Sequence, residues 1–176
     1  MNVKYLIIYG IALFLVCKCG YTDWKFQKIY NKWTLSSIGL GLLVHLLLWG
    51  IHGLLDSVLG LLLGTLLFFL FVIRALKAGD VKLFMALGAI LGWRLNLRII
   101  VGSILLGGVI GVFVMLLNRN GRQRFLGLWL YLKRLFLMRQ WERYKPDGEG
   151  AYFCFGICIA IATAVVIGIE IFNIRI

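Results

Sequence analysis

The chain has 176 residues, of which 62% are apolar and 15% are charged. Because an ordinary soluble domain is about 45–50% apolar and about 25% charged, this composition excludes a water-soluble globule and a disordered chain. The net charge is +12, and since no nucleic-acid-binding motif accompanies it, we ascribe it to membrane topology and to contact with anionic lipid rather than to nucleic acid.

Six runs without charged side chains mark the predicted membrane spans. In chain order they are residues 5–17, 35–55, 57–73, 83–93, 99–117 and 151–169. A crossing takes about 20 residues, so the short fourth run spans only if the flanking Lys82 and Arg94 side chains reach back to the membrane surface or if the helix runs from Asp80 to Leu97; otherwise it is re-entrant. We therefore predict an all-α polytopic membrane protein with about six transmembrane helices, forming one membrane-embedded domain over residues 1–176.

The distribution of basic residues predicts the orientation. If residues 18–32, 74–82 and 119–145 share one side, that side holds four, three and eight of the 19 basic residues, respectively. The positive-inside rule then makes this side cytoplasmic and leaves both termini outside. We expect a multi-pass protein of the inner (cytoplasmic) membrane.

Two further segments predict contacts with lipid or with a second chain. Residues 125–141, within a basic region at about 118–149, mix aromatic side chains with Lys133, Arg134 and Arg139. This pattern predicts an interfacial amphipathic helix that anchors on anionic lipid, with a platform or gate beside an active site as the alternative. Gly107 and Gly111 in the fifth run form a small-xxx-small pattern, which favours close packing within the chain or in a homo-oligomer.

The acidic residues include two that fall at the predicted cytoplasmic boundary, Asp23 and Asp80. Two carboxylates from separate loops at one depth can share a proton, so that one activates water while the other polarises a peptide carbonyl. Each also has a simpler interpretation. Asp80 follows Gly79 and could N-cap a helix, and Asp23 could be a solvated partner of the lysines around it.

Three segments resemble the prepilin (type IV leader) peptidase family. Residues 77–83 read KAGDVKL and closely resemble its GxGD-V-K-L segment, and residues 23–34 read DWKFQKIYNKWT and look like its D-x5-I-P-N-x2-T motif. Residues 152–156, YFCFG, are weakly similar to the P-[FY]-G-P opening of the family's last span. Two departures stand out, because Lys77 replaces the first glycine of GxGD and Tyr30 replaces the proline after Ile29.

The resemblance implies an integral-membrane aspartyl endopeptidase that cleaves the short basic leader from type IV pilin-like precursors at the cytoplasmic boundary. It implies Asp23 and Asp80 as the catalytic pair. It further implies that Gly79 allows close approach of the substrate backbone, that Lys82 lies at the interface, and that Asn31 and Thr34 order the loop. No metal or other cofactor is expected. Since the paired CxxC motifs of many relatives are missing from the sequence, no methyltransferase activity is expected either.

Two alternatives stay open, a small transporter that uses the two aspartates and a non-catalytic membrane assembly factor on the same scaffold. The cysteines and histidines do not point to any further function. We predict that the four cysteines, Cys17, Cys19, Cys154 and Cys158, pack as small apolar residues rather than bind a metal. His45 and His52 lie on one helical face, which fits a hydrogen-bonded histidine inside the bundle better than a proton path.

Overall fold

The computed structural model describes residues 3–26, 29–72, 76–117 and 155–175, and the regular structure in these ranges is entirely α-helical. Most of them belong to one compact unit, Met1–Leu106 with Cys154–Ile176, and a second unit, Gly107–Phe153, contains the end of the fourth helix. The helix predicted at 125–141 lies outside the described residues. The helices are α1 (Val3–Phe26), α2 (Asn31–Leu66), α3 (Phe68–Val72), α4 (Ala78–Leu117) and α5 (Phe155–Arg175).

Four helices in the described ranges are long and apolar enough to cross a membrane: Val3–Phe26, Asn31–Val72, Ala78–Phe113 and Phe155–Asn173. The prediction of an all-α polytopic membrane protein is thereby confirmed. The second and third of these helices are each interrupted by one glycine with positive φ, Gly50 at φ 66° and Gly92 at φ 78°. Only glycine adopts such a backbone without strain, so both sites interrupt the regular helix.

At Gly92 the chain folds back on itself. The Nδ2 group of Asn96 donates a hydrogen bond of 3.2 Å to the carbonyl of Phe84, 12 residues earlier. In a straight helix these residues would be about 18 Å apart. The helix α4 therefore consists of a first arm, residues 78–91, and an antiparallel second arm that begins at residue 93.

The helix α2 reverses in the same way at Gly50. A Cβ atom built on Gly53 would lie 2.6 Å from the carbonyl oxygen of His45, although eight residues of straight helix span about 12 Å. The two arms of α2 are residues 31–49 and 51–66. The sequence analysis placed the end of the second predicted span and the start of the third at Asp56, and this prediction is therefore wrong. The turn requires the positive φ of Gly50, whereas Asp56 lies within the second arm with its carboxylate against Gly92.

The first arm of α4 forms the buried centre of the fold. Its side chains between Val81 and Leu91 are mostly buried, which explains how so short an apolar run is accommodated, since protein rather than lipid surrounds it. Three glycines of α2 bring its arms against it. A Cβ on Gly60 would overlap the carbonyl of Gly88, one on Gly64 would lie 2.6 Å from the Met85 nitrogen, and one on Gly41 would lie 2.6 Å from the Ala89 oxygen. Small residues at helix contacts allow such close approach within membranes.

Side chains of α2 satisfy the carbonyl groups that the break at Gly92 leaves without helical partners. The last carbonyls of a helix have no donor within it, and an unpaired carbonyl in an apolar membrane costs several kcal/mol. Ser57 Oγ donates to the Ala89 carbonyl at 2.5 Å, and His45 Nε2 lies 2.8 Å from the Ile90 carbonyl. Because that carbonyl can only accept, His45 Nε2 carries the proton. The interpretation of His45 as a hydrogen-bonded histidine inside the bundle is confirmed.

The substitution Ser57→Ala should therefore destabilise the protein by about 1–3 kcal/mol, because it removes the side-chain hydrogen bond to the buried Ala89 carbonyl. Thermal unfolding in detergent would measure the loss. Ser36→Ala, at an exposed position of the same helix, is the matched control and should change little. Equal unfolding temperatures for the two variants would contradict this account of the break.

The helices α1 and α5 complete the core around the arms of α2 and α4. Ala12 and Val16 of α1 and Ile159 of α5 are buried in the same apolar cluster as the first arm of α4. Cys19 and Cys158 are buried, which confirms the packing interpretation for these two, whereas Cys17 is exposed and Cys154 lies outside the described residues. Arg98 and Glu170 join α4 to α5 through a salt bridge of 2.7 Å.

Candidate active site

The carboxylate of Asp23 is held between the end of α1 and the start of α5. The side chain is 2% exposed, and its Oδ2 atom accepts a hydrogen bond of 3.0 Å from the backbone N–H of Gly156. That N–H group lies in the first turn of α5, where it has no helical acceptor and where the helix dipole favours negative charge. The interpretation of Asp23 as a solvated side chain is therefore wrong.

The contact between Asp23 and Gly156 requires a glycine. A Cβ atom on residue 156 would lie 2.8 Å from Asp23 Oδ2 and 3.0 Å from Asp23 Cβ. The first distance is shorter than real Cβ contacts and the second is tighter than most of them, so a larger residue must displace the carboxylate. Gly156 consequently positions Asp23 in two ways. Its backbone N–H donates a hydrogen bond to the carboxylate, and its lack of a side chain leaves room for that carboxylate.

The second aspartate, Asp80, is the third residue of α4 and is 1% exposed. Its Oδ2 atom accepts a hydrogen bond of 3.2 Å from the backbone N–H of Lys77, the residue before the helix. This is the return contact of a capping box. The other oxygen, Oδ1, is buried and has no hydrogen-bond partner among the described residues. Asp80 is therefore not the N-cap residue, as the sequence had suggested, because it lies inside the first turn of α4. Its contact with Lys77 occupies one carboxylate oxygen and leaves the other available.

Asp23 and Asp80 line one cavity of about 370 Å³. They lie close enough for the charge of one to act on the other. Two buried carboxylates at one cavity, one of them with an unpaired oxygen, can hold a shared proton and a water molecule. The remaining lining residues are Ile29, Tyr30, Asn31, Lys77, Ala78, Gly79 and Lys82.

The supporting residues divide into those that line this cavity and one that does not. Lys82 and Asn31 line it and are joined by a hydrogen bond of 2.8 Å from Lys82 Nζ to Asn31 Oδ1. Gly79 lines it as well, and a Cβ there would lie 3.1 Å from Ile29 Cβ, so this glycine also allows the segment before α2 to approach α4. Thr34 does not line it; the side chain is buried and donates to the Asn31 carbonyl at 3.2 Å.

Residues 7–112 match the type IV leader peptidase family. The chain belongs to this family. No curated protein and no solved structure matches the chain. The matched residues include both aspartates and end before α5.

The two departures from the motifs of the family are compatible with the observed backbone. Lys77 contributes a backbone N–H to Asp80, and every residue except proline has that group. Tyr30, the residue before α2, has φ −77° and ψ 128°. Proline fixes φ at about −65 ± 15°, so Tyr30 already has the conformation that the family's proline would impose.

The substitution Tyr30→Pro should therefore be accepted and should stabilise the folded protein by about 0.4–1 kcal/mol, since proline restricts the unfolded chain. Thermal unfolding in detergent measures the gain. Tyr21→Pro, inside α1, is the contrasting variant and should be strongly destabilising because the ring breaks a helix. A fall in unfolding temperature for Tyr30→Pro would show that the side chain of Tyr30 or its N–H is needed.

The importance of Gly156 was missed by the sequence analysis, which found only a weak motif similarity around it. The residue lies 133 positions from Asp23 and outside the region that matches the family. The one available signal was a glycine at the start of the last apolar run. Within the described ranges, no three His, Cys, Asp or Glu side chains converge as metal ligands would, and the absence of a cofactor stays a prediction.

Proposed function

We propose that this peptidase-family protein is an aspartyl endopeptidase that removes the short basic leader from type IV pilin-like precursors, with Asp23 and Asp80 as the catalytic pair. The observation that carries the proposal is the pair of buried carboxylates at one cavity, with Oδ1 of Asp80 unpaired among the described residues. Membership of the type IV leader peptidase family supports the same reaction class.

The chemistry follows from two carboxylates that hold one proton between them. The ionised carboxylate takes a proton from a water molecule, whose oxygen attacks the scissile carbonyl carbon. The protonated carboxylate donates a hydrogen bond to the carbonyl oxygen and stabilises the charge that develops there. When the tetrahedral intermediate collapses, the C–N bond breaks and the amine leaves with a proton from the dyad, so the pair returns to its starting protonation state.

The membrane arrangement that we propose has six crossings, and the breaks at Gly50 and Gly92 support this count because they divide two of the four long helices into antiparallel arms. The dyad would face the cytoplasm of a cell with an inner membrane, on the side that carries most of the basic residues. These residues would contact anionic lipid. The same proposal includes self-association through the fifth span, the absence of methyltransferase activity and a single domain over residues 1–176.

The test is co-expression with several type IV pilin-like precursors, followed by measurement of leader removal through the mass of the processed protein. Cleavage that depends on the intact protein supports a leader peptidase. Processing of none of the precursors would contradict the proposal. An ion uptake that depends on the protein would then favour the transporter, and a defect confined to assembly of a membrane complex would favour the assembly factor.

A further inference from the structure

A pair of aromatic rings joins the start of α5 to the first arm of α4. The ring centroids of Phe84 and Phe155 are 6.3 Å apart, and the ring planes are inclined at 62°. This is the edge-to-face arrangement that aromatic side chains prefer. Phe84 is completely buried, and Phe155 packs against the same apolar cluster. The contact therefore holds the two helices together inside the protein rather than at its lipid surface.

On α4, the ring pair is one helical turn away from a proposed catalytic residue. Phe84 follows Asp80 by four residues in the same arm, and side chains at this spacing lie one above the other on one face of a helix. The break in α4 is at Gly92, beyond both residues. One continuous stretch of helix therefore carries the Asp80 carboxylate and the Phe84 ring, and it keeps a constant offset between them.

On α5, the ring pair is next to the hydrogen-bond donor of the other aspartate. Phe155 is the first residue of α5, and the N–H group of Gly156, directly after it, donates to Asp23 Oδ2 at 3.0 Å. The peptide bond that joins Phe155 to Gly156 is planar and rigid. A displacement of the Phe155 backbone therefore moves this N–H group, and the carboxylate that it holds loses its alignment.

These contacts form a continuous path between the two carboxylates. Asp23 belongs to α1 and Asp80 to α4, with both arms of α2 between them in the chain. The path runs through space from the Asp23 carboxylate to Gly156, across the ring contact, and one turn back along α4. Two carboxylates share a proton only at close range, because the coupling between them falls with distance. The ring contact is the step at which this path crosses from α5 to α4.

We propose that the Phe84–Phe155 ring pair positions the dyad by keeping the backbone donor of Asp23 in register with the helix of Asp80. This proposal rests on the proposed function. Neither ring lines the cavity of the two aspartates, so the two phenylalanines act through the aspartates and not by contact with substrate. Such positioning residues change kcat and leave KM nearly constant, since the groups that bind the substrate stay in place.

Leucine variants of the ring pair test its effect on the rate of leader removal. Phe84→Leu and Phe155→Leu should each lower kcat about tenfold and leave KM within about twofold, because a shift of about 1 Å in a catalytic group costs about 10²-fold and a smaller shift is expected here. The double variant should be no slower than the slower single variant, since the two residues act as a pair. Phe155→Tyr keeps a ring at this position and should retain the kcat of the unchanged protein.

The matched control is a second aromatic pair, Phe68 and Phe71 in α3, with ring centroids 5.3 Å apart. Phe71→Leu removes this contact and should leave kcat within about twofold, because neither ring lines the cavity of the aspartates. A merely structural role of Phe84 and Phe155 would lower the unfolding temperature, while the folded fraction kept its kcat. That result, or equal kcat values for Phe155→Leu and Phe155→Tyr, would overturn the proposal.

A nuclear magnetic resonance measurement needs no cleavage and therefore separates this proposal from the proposed function. Phe155–Gly156 is the one Phe-Gly pair in the sequence, so isotope labels in the carbonyl carbon of phenylalanine and the nitrogen of glycine select a single N–H signal, that of Gly156. Asp23→Ala defines the shift of this signal without the hydrogen bond. Phe84→Leu should move the signal toward that value, whereas Phe71→Leu should leave it in place. A signal that Phe84→Leu does not move would overturn the proposal, whether or not any precursor is cleaved.

Discussion

Replacing Asp23 or Asp80 by asparagine is expected to abolish leader cleavage, with a loss of about 10³-fold or more in kcat for either single variant. Asparagine has the shape of aspartate but can neither take a proton from water nor hold the shared proton. The Oδ1 atom of Asp80 is the oxygen without a partner among the described residues. The remaining carboxylate therefore cannot perform both halves of the chemistry alone.

The measurement is the rate of leader removal at matched membrane levels of the variants. Asp56→Asn is the matched control, because this carboxylate lines a separate cavity around His45 and its replacement should leave kcat within about twofold. The double variant should be no slower than either single variant, because two groups that act as a unit are not additive. Leader removal that survives either single change would disprove the dyad.

The second large effect is expected at Gly156, which touches neither the water nor the scissile bond in our scheme. In Gly156→Ala the added methyl group would lie 2.8 Å from Asp23 Oδ2, so the carboxylate must move away from its backbone donor. A displacement of about 1 Å in a catalytic group can cost about 10²-fold in rate. We expect a loss of that size in kcat, with insertion and abundance maintained.

The control for this prediction lies on the same helix. Gly168→Ala adds a methyl group where nothing described lies within 4 Å, and it should retain the full rate. A merely structural role for Gly156 would lower the unfolding temperature, and the folded fraction would retain its kcat. A role in placing Asp23 should lower kcat at an unchanged unfolding temperature, because the carboxylate then loses its alignment with the Gly156 N–H. Full activity of Gly156→Ala would contradict the observed contact.

The helical class and the two aspartates could be predicted from the sequence because both depend on local patterns. Long uncharged runs indicate helices that cross a membrane, and each aspartate lies in a short motif. The boundary at Asp56 was wrong for a physical reason. Charge marks where a helix meets water, but the helix α2 turns at Gly50, inside an apolar run, where a positive φ decides the direction of the chain.

The close contacts of the bundle could not be predicted, because they depend on which arms become neighbours. Gly60 and Gly88 pack backbone to backbone, and each stands four residues before another glycine in the sequence, yet this spacing alone does not name the partner helix. The contact of Gly156 with Asp23 is of the same kind. A small-xxx-small pattern favoured close packing at Gly111. In the described part of the chain, however, no atom lies within 4 Å of the position that a Cβ on Gly111 would occupy.

The hydrogen bond from Gly156 to Asp23 also sets the order in which activity can arise during synthesis. The aspartate leaves the ribosome first, and its donor follows 133 residues later in α5. Until α5 has inserted, Asp23 lacks one of its fixed hydrogen bonds, although both aspartates are already in the nascent chain. In the proposed enzyme, proteolytic competence therefore follows the insertion of α5.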